Sequence, residues 1–378
     1  MKWIAICTAV LSVATFSASA QPAGDDYDVI FAPSPQAQRA EQGVIIGLQR
    51  YLDQTIAVGA FGTILTRQGN DDWVQAEVPT SVLLTSVHYV DANTIWATGH
   101  DGVLLRSQDA GQSWQRMMDG YRLLEKELLW LEEREAYLTT RLDEAEDDDE
   151  AFDYEYLLDE LSFQIDAAGI QQDVGPTKPF LDILFLDQDH GFAIGAYGLV
   201  LETQDGGEDW TVVNERLENP TAYHLNKLIA NEDGELFIIG EAGQLFRSDD
   251  RGMNWEQLDS PYHGSLFGGL FDQQGRMWIY GLRGNVFVSD DNGDSFQSVD
   301  ANTRYNLNSG TVMADGTVVL AGHSGTLVFF AADSLQAQRF EHSSNVPLSG
   351  LLQNAGNELI LVGRGGIMQF MYPAVAAR

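Results

Sequence analysis

The chain has 378 residues, with 21 basic against 56 acidic side chains and a net charge of −35. Such a surface repels phosphate backbones and anionic headgroups, which argues against nucleic acid and acidic membranes as partners and for a well-hydrated protein. Its single cysteine, Cys7, rules out a disulfide framework.

Residues 1–20 have the pattern of a secretory signal: Lys2, an apolar run over Ile4–Phe16, then Ala18-Ser19-Ala20 as a small-residue cleavage site. The run is too short to span a bilayer, and no later stretch qualifies. The reading is an exported protein, periplasmic or secreted, cleaved near Ala20. Cys7 leaves with the signal, so residues 21–378 carry no thiol chemistry.

Downstream, one short strand is expected at Tyr27–Ala32, and then a repeat sets in. Paired glycines three apart, each followed by an apolar run, start at Gly59, Gly99, Gly195, Gly240, Gly281, Gly322 and Gly363. The intervals are 40, 96, 45, 41, 41 and 41 residues, the long one being a single period plus roughly 55 inserted residues. A period in the low forties built from short apolar strands and glycine turns is that of four-stranded propeller blades. The expected fold is all-β: a seven-bladed β-propeller over residues 21–378. The last unit has strands at Leu348–Leu352, Glu358–Val362 and Gly366–Met371 but no fourth. The strand at Tyr27–Ala32 is therefore expected to complete it, closing the ring across the N- and C-termini.

Four units continue into Ser/Thr-x-Asp-x-Gly-x-x-aromatic: Asp109, Gly111 and Trp114; Asp205, Gly207 and Trp210; Asp250, Gly252 and Trp255; Asp291, Gly293 and Phe296. The Asp carboxylate accepts backbone N–H groups, the Gly supplies a left-handed residue, and the aromatic packs between blades. These roles are structural. Asp290–Asp294 looks like part of a calcium loop but lacks the bidentate Glu and falls in the same register. The seven histidines show no zinc-ligand spacing, so neither metal nor cofactor is expected.

The insertion, 119–175, differs in kind. Leu123, Leu124, Leu128, Leu131, Leu138 and Leu142, then Phe152, Tyr156, Leu157, Leu161 and Ile165, recur at helical steps either side of Asp147–Glu150. An α-helical hairpin between blades two and three is expected. It holds 19 acidic and 4 basic residues between Asp119 and Asp173. Glu127 has no charge partner one turn away, and Glu133, Arg134 and Tyr137 fall on the outer face. Because strands alternate in direction, the hairpin and the Gly-x-x-Gly turns should share one face of the ring, with the Asp motifs on the other.

The two residues inside each Gly-x-x-Gly turn are exposed by construction. They supply Phe61, His100, Tyr197, Arg283, His323 and Arg364 as candidate partner-binding residues, with Arg283 and Arg364 flanking His323 on blades five to seven. No catalytic residue is assigned. A sialidase-like site needs three converging arginines and a tyrosine activated by a glutamate, and the arginine-bearing N-terminal stretch is missing, Val29–Pro33 standing nearest. A glycan-binding or glycan-hydrolysing, sialidase-like protein built on the same Asp motifs is the alternative.

The repeated unit resembles the Asp-box, or BNR, repeat. Seven copies behind an export signal resemble the photosystem II stability/assembly factor propellers over about residues 27–118 and 176–372. The resemblance implies a seven-bladed, non-enzymatic protein that binds membrane-protein assembly intermediates through arginines on the propeller, a role that motif match gives to Arg283 and Arg364. The partner implied is a membrane protein complex or a transporter of the cell envelope, and the chain itself is expected to be a monomer.

Overall fold

The structure is a computed structural model that describes residues 28–372; the leader, its cleavage site and Cys7 lie outside them. Seven antiparallel sheets follow one another along the chain, each laid out in strict sequence order. Blade one comprises Ile45–Tyr51, Gln54–Gly59, Ile64–Gln68 and Val74–Gln75, and blade two Leu84–Tyr89, Ile95–Gly99, Leu104–Ser107 and Gln115–Met118. The helical hairpin follows as α1 (Gly120–Asp143) and α2 (Asp148–Val174), between blades two and three. Blade seven, Leu348–Gln353, Glu358–Gly363 and Gly366–Met371, has three strands.

The core is not one mass but a ring of apolar clusters, one between each pair of neighbouring blades, plus one inside the hairpin. The cluster between blades two and three, for example, interleaves Trp96 and Leu104 with Phe185, Leu201 and Trp210. The second strand of each blade reads almost wholly buried because both of its faces meet a neighbouring sheet, as in Leu236–Gly240 and Val318–Gly322.

Both glycines of each turn are required, for different reasons. At the first, a Cβ would strike the carbonyl of the residue entering the blade: Val44 O at 2.1 Å from Gly59 and Asn306 O at 1.9 Å from Gly322. The second is left-handed, φ +66° at Gly62, and its Cβ would strike the incoming link at Thr80 O.

Ring closure differs from the expectation. Tyr27 lies outside the described residues, and 28–32 form a turn, not a strand. The Asp28 carboxylate caps the Ile30 N–H at 2.8 Å, and the Phe31 and Ala32 N–H groups return to the Asp28 carbonyl. This turn packs against blades one and two. The Val29 carbonyl accepts from Ser81 N–H, Arg116 donates to the Ile30 carbonyl, and Ile30 enters the cluster between those blades. The apolar run misled because the buried residue is Ile30, whereas Val29 and Phe31 face outwards.

The seam between blades seven and one is stitched by polar contacts instead. Its apolar cluster is small, with five buried residues. Arg50 donates to the carbonyls of Gln353 and Asn354, and Arg67 to Asn354 Oδ1. Ser349 donates to the Ile45 carbonyl at 2.8 Å. This last bond recurs around the axis: Thr85 to Phe180 O, Asn226 to Leu266 O and Asn308 to Leu348 O. Each donor sits at the point where the first strand skips a residue against the second, which turns its side chain towards the next blade.

Candidate partner-binding face

The residue at the third position of the turn stands in the left-handed region in six blades: Phe61 at φ 57°, Asp101 at 55°, Tyr197 at 60°, Ala242 at 54°, Arg283 at 59° and Ser324 at 55°. Phe61, Tyr197 and Arg283 reach solvent from that conformation, whereas Asp101, Ala242 and Ser324 are half-buried. Blade seven differs, Gly363 pairing directly with Gly366 so that Arg364 and Gly365 form a two-residue turn. Phe61, Tyr197, Arg283, His323 and Arg364 are exposed, and His100 is half-buried.

Arg283, His323 and Arg364 belong to consecutive blades. His323 also lines the mouth of the axial channel, a cavity of about 630 Å³ walled by the first strands of all seven blades. Two arginines join them that motif reasoning missed. Arg304 lies in the link between blades five and six, next to Thr303, whose carbonyl abuts Gly284; the Arg283 N–H bonds to Asn306 Oδ1 of the same link. Arg39 precedes the turn whose Glu41 carbonyl abuts Gly366. The only sequence signal for either was position, since links and glycine turns emerge on one side. Among the described residues, Arg39, Arg283, Arg304 and Arg364 make no side-chain hydrogen bond, ion pair or ring contact, whereas the other described arginines each make at least one. In a chain this acidic, these four exposed guanidinium groups, on blades five to seven and the adjoining turn before blade one, are left without a carboxylate partner among the described residues.

Tyr197 and His100 belong to another neighbourhood, beside the hairpin. The Tyr197 ring meets His224 edge-on at 4.9 Å, with the Lys178 ammonium 5.8 Å from its centroid. Phe61 stands apart on blade one. The hairpin leaves and rejoins the ring here: Gly120 is packed against Pro176 and the Asp101 carbonyl, and Gly102 N–H bonds to the Lys178 carbonyl. Glu127, without a partner one turn away on α1, forms a buried ion pair with Lys178. Lys126 pairs with Asp209 and Trp130 Nε1 donates to Glu215, so α1 also leans on blade three.

The four Asp motifs close on themselves in the turns between third and fourth strands. In blade two, Asp109 accepts from Ser107 Oγ at 2.8 Å, Ser113 N–H at 2.9 Å and Ser113 Oγ at 2.5 Å, while Gly111 N–H bonds Ser107 Oγ. The hydroxyl and backbone N–H bonds recur at Asp205, Asp250 and Asp291, with Asn254 Nδ2 and Ser295 Oγ adding a side-chain donor at the last two. Donors on the charged form lower all four carboxyl pKa values; the Ser295 and Ser289 hydroxyls bring Asp291 down to about 2. The motif glycines are pressed against the preceding blade, Gly207 on Trp96 and Gly252 on Phe192. Trp114 and Trp255 each donate to the carbonyl of their own motif glycine; Trp210 and Phe296 pack in the clusters between blades.

Within the channel, Asp182 is buried and fully engaged by Ser86 Oγ, Leu228 N–H and Lys227 Nζ at 2.7, 3.0 and 2.8 Å. Neighbouring His88 accepts from Phe185 N–H, and burial lowers its pKa to about 4 despite the Asp182 charge. These groups are tied to each other across blades two to four.

Residues 168–265, the return of α2 through blades three and four, match the family model for the photosynthesis system II assembly factor YCF48. The photosystem II assembly lipoprotein Ycf48 of Synechococcus sp. (strain CC9902) is 38% identical over 80 residues, 21% of this chain and 23% of that protein, so the match spans under a quarter of the relative's length. A solved structure described as YCF48 bound to D1 peptide superimposes with a TM-score of 0.58 at 17% identity, covering 88% of this chain and 94% of the other. YCF48 from Cyanidioschyzon merolae gives 0.59 at 13%, covering 90% and 98%. The WD40 propeller of Doa1 does as well, 0.58 at 9%, over 90% and 95%, so these superpositions speak for the fold alone. By sequence across residues 168–265 and by fold around the whole ring, the chain is similar to the photosystem II assembly factor propellers.

Proposed function

We propose that this protein is a non-enzymatic, exported propeller that docks on a membrane protein or envelope complex as an assembly or accessory factor, using its glycine-turn face. The observation that carries this is the set of four unpaired arginines, Arg39, Arg283, Arg304 and Arg364, in a chain of net charge −35. An unsatisfied guanidinium fork is held ready for a carboxylate, and a hydrated face that has not spent its charges internally can discriminate among partners. The likeness to proteins named as photosystem II assembly factors, one of them solved with a D1 peptide, supports a membrane-protein client. The leader-like residues 1–20, and the absence of any membrane-crossing helix among the described residues, are consistent with an exported protein working from outside the bilayer.

A photo-crosslinking residue placed at Ser324, between Arg283 and Arg364 on the ring, tests the reading in the living cell. Adducts with an integral membrane polypeptide are expected, and they should vanish in an Arg283→Glu/Arg364→Glu background. Adducts that survive the double charge reversal, or robust turnover of a fluorogenic sialoside by the pure protein, would defeat it.

A further inference from the structure

Helix α2 is apolar on two opposite faces, and only one of them is covered. Leu161 and Ala168 are buried against α1, with Leu157, Leu158 and Ile165 packed around them. Of the residues expected to share one stripe, Phe152 and Tyr156 instead point the other way. With about 100° per residue, Phe152, Tyr156, Phe163, Ile170 and Val174 fall within about 40° of each other, opposite the α1 contact. They are 68, 44, 69, 61 and 71% exposed. Over 22 residues the seam is about 33 Å long, and Tyr156, Phe163 and Ile170 repeat at seven-residue steps.

Along one side of this seam runs a row of carboxylates: Asp148, Glu155, Asp159, Asp166 and Asp173. All five are exposed, and none makes an ion pair among the described residues. Along the other side, Phe163, Ile170 and Val174 form one lip of a cavity of about 340 Å³ whose far wall is Tyr197, Pro220 and Ala222. A second cavity, of about 590 Å³, continues it past Glu160 and Gln164. An apolar seam with a groove on one flank and a charged rail on the other is how a helix receives a second helix.

We infer that the outer face of α2 docks a basic amphipathic helix of a partner protein, one with apolar residues at three- and four-residue spacing and lysines or arginines along one edge. Charge selects this occupant. A second copy of the chain would bring acidic row against acidic row, and an anionic membrane would meet the hairpin's net −15. The seam provides contact area and the row sets orientation and association rate. The surface is on the inserted arm, so it stands or falls separately from the arginine face.

The probe is a synthetic three-heptad peptide with leucines at the seam positions and lysines on the flanks, titrated into the full-length mature protein. Binding is expected, with hydrogen-exchange protection confined to residues 148–174 and the 214–222 link. Phe163→Ser/Ile170→Ser should weaken it at least about tenfold, and Asp159→Asn/Asp166→Asn about three- to tenfold with a shallower salt dependence. Asp71→Asn/Asp72→Asn, which removes the same charge from exposed positions on blade one, should leave it unchanged. Unaltered binding by the seam variant, equal loss in the blade-one control, or equal binding of a glutamate-flanked peptide would overturn the inference. So would a concentration-dependent dimer abolished by Phe163→Ser/Ile170→Ser, which would make the face a self-interface. Circular dichroism melts of each variant verify that the hairpin remains folded.

Discussion

The two faces of the ring spend their polar side chains in opposite ways. On the Asp-motif side, each carboxylate is consumed within its own turn by a hydroxyl and a backbone N–H. Arginines nearby are consumed too: Arg247 bridges Glu256 and Asp294, and Arg106 pairs with Glu208. On the glycine-turn side, Arg283, Arg304 and Arg364 end in solvent on blades five to seven, and the hairpin is mounted between blades two and three. Polar groups satisfied by their own neighbours hold a structure together, whereas groups left unsatisfied on a rigid frame are available to a partner.

The largest test of this contrast is at the root of the arm. Glu127→Ala leaves the Lys178 ammonium buried and unpaired, which should destabilise the protein by about 3–5 kcal/mol in chemical denaturation. Replacing Glu127 and Lys178 together by Met should recover most of it. If the single variant unfolds no more readily than the parent, the arm is not anchored there.

A second test uses His88, whose ring stacks on Phe185 between blades two and three. His88 has a folded pKa of about 4, below its ordinary 6.5, so between those values the unfolded chain takes a proton that the native state refuses. Its contribution is complete above pH 6.5 and is lost as the pH falls towards 4, a difference of about 3 kcal/mol at 1.36 kcal/mol per unit. His88→Gln should flatten the stability profile over that interval. The Asp-motif carboxyls work at lower pH, since their depressed values withdraw stability only below about pH 4.

On the Asp-motif side, Asp250→Ala strands the Asn254 N–H and the Ser248 hydroxyl and should cost about 1–2 kcal/mol, read as a lower melting temperature. On the opposite side, Arg283→Glu and Arg364→Glu should each change stability by no more than about 0.5 kcal/mol, because neither side chain holds anything in place. If the arginine variants destabilised as much as Asp250→Ala, the contrast between the faces would collapse.

The blades were legible because each rests on two residues with no substitute. A Cβ at Gly59 or Gly62 collides with a backbone carbonyl, so the pair is written into every turn. Closure of the ring was not legible, because Ser349, Arg50 and Asn354 are ordinary polar residues acting on chain some 300 positions away. Glu127 hid its role for the same reason, its partner lying 51 residues on. The seam on α2 was blurred by merging two stripes: Leu157 and Leu161 face inwards while Phe152 and Tyr156 face out. Arg39 and Arg304 sit in links that follow no motif, and only the geometry places them beside the turns.

The hairpin departs from the ring and comes back to it almost at a point, Gly120 and Pro176 being packed against each other. For the wheel of blades, a hairpin with helices of 24 and 27 residues therefore occupies the footprint of an ordinary loop. Such an appendage can be lengthened, exchanged or lost through evolution without re-fitting a single spoke, and the same hub can be given different grips.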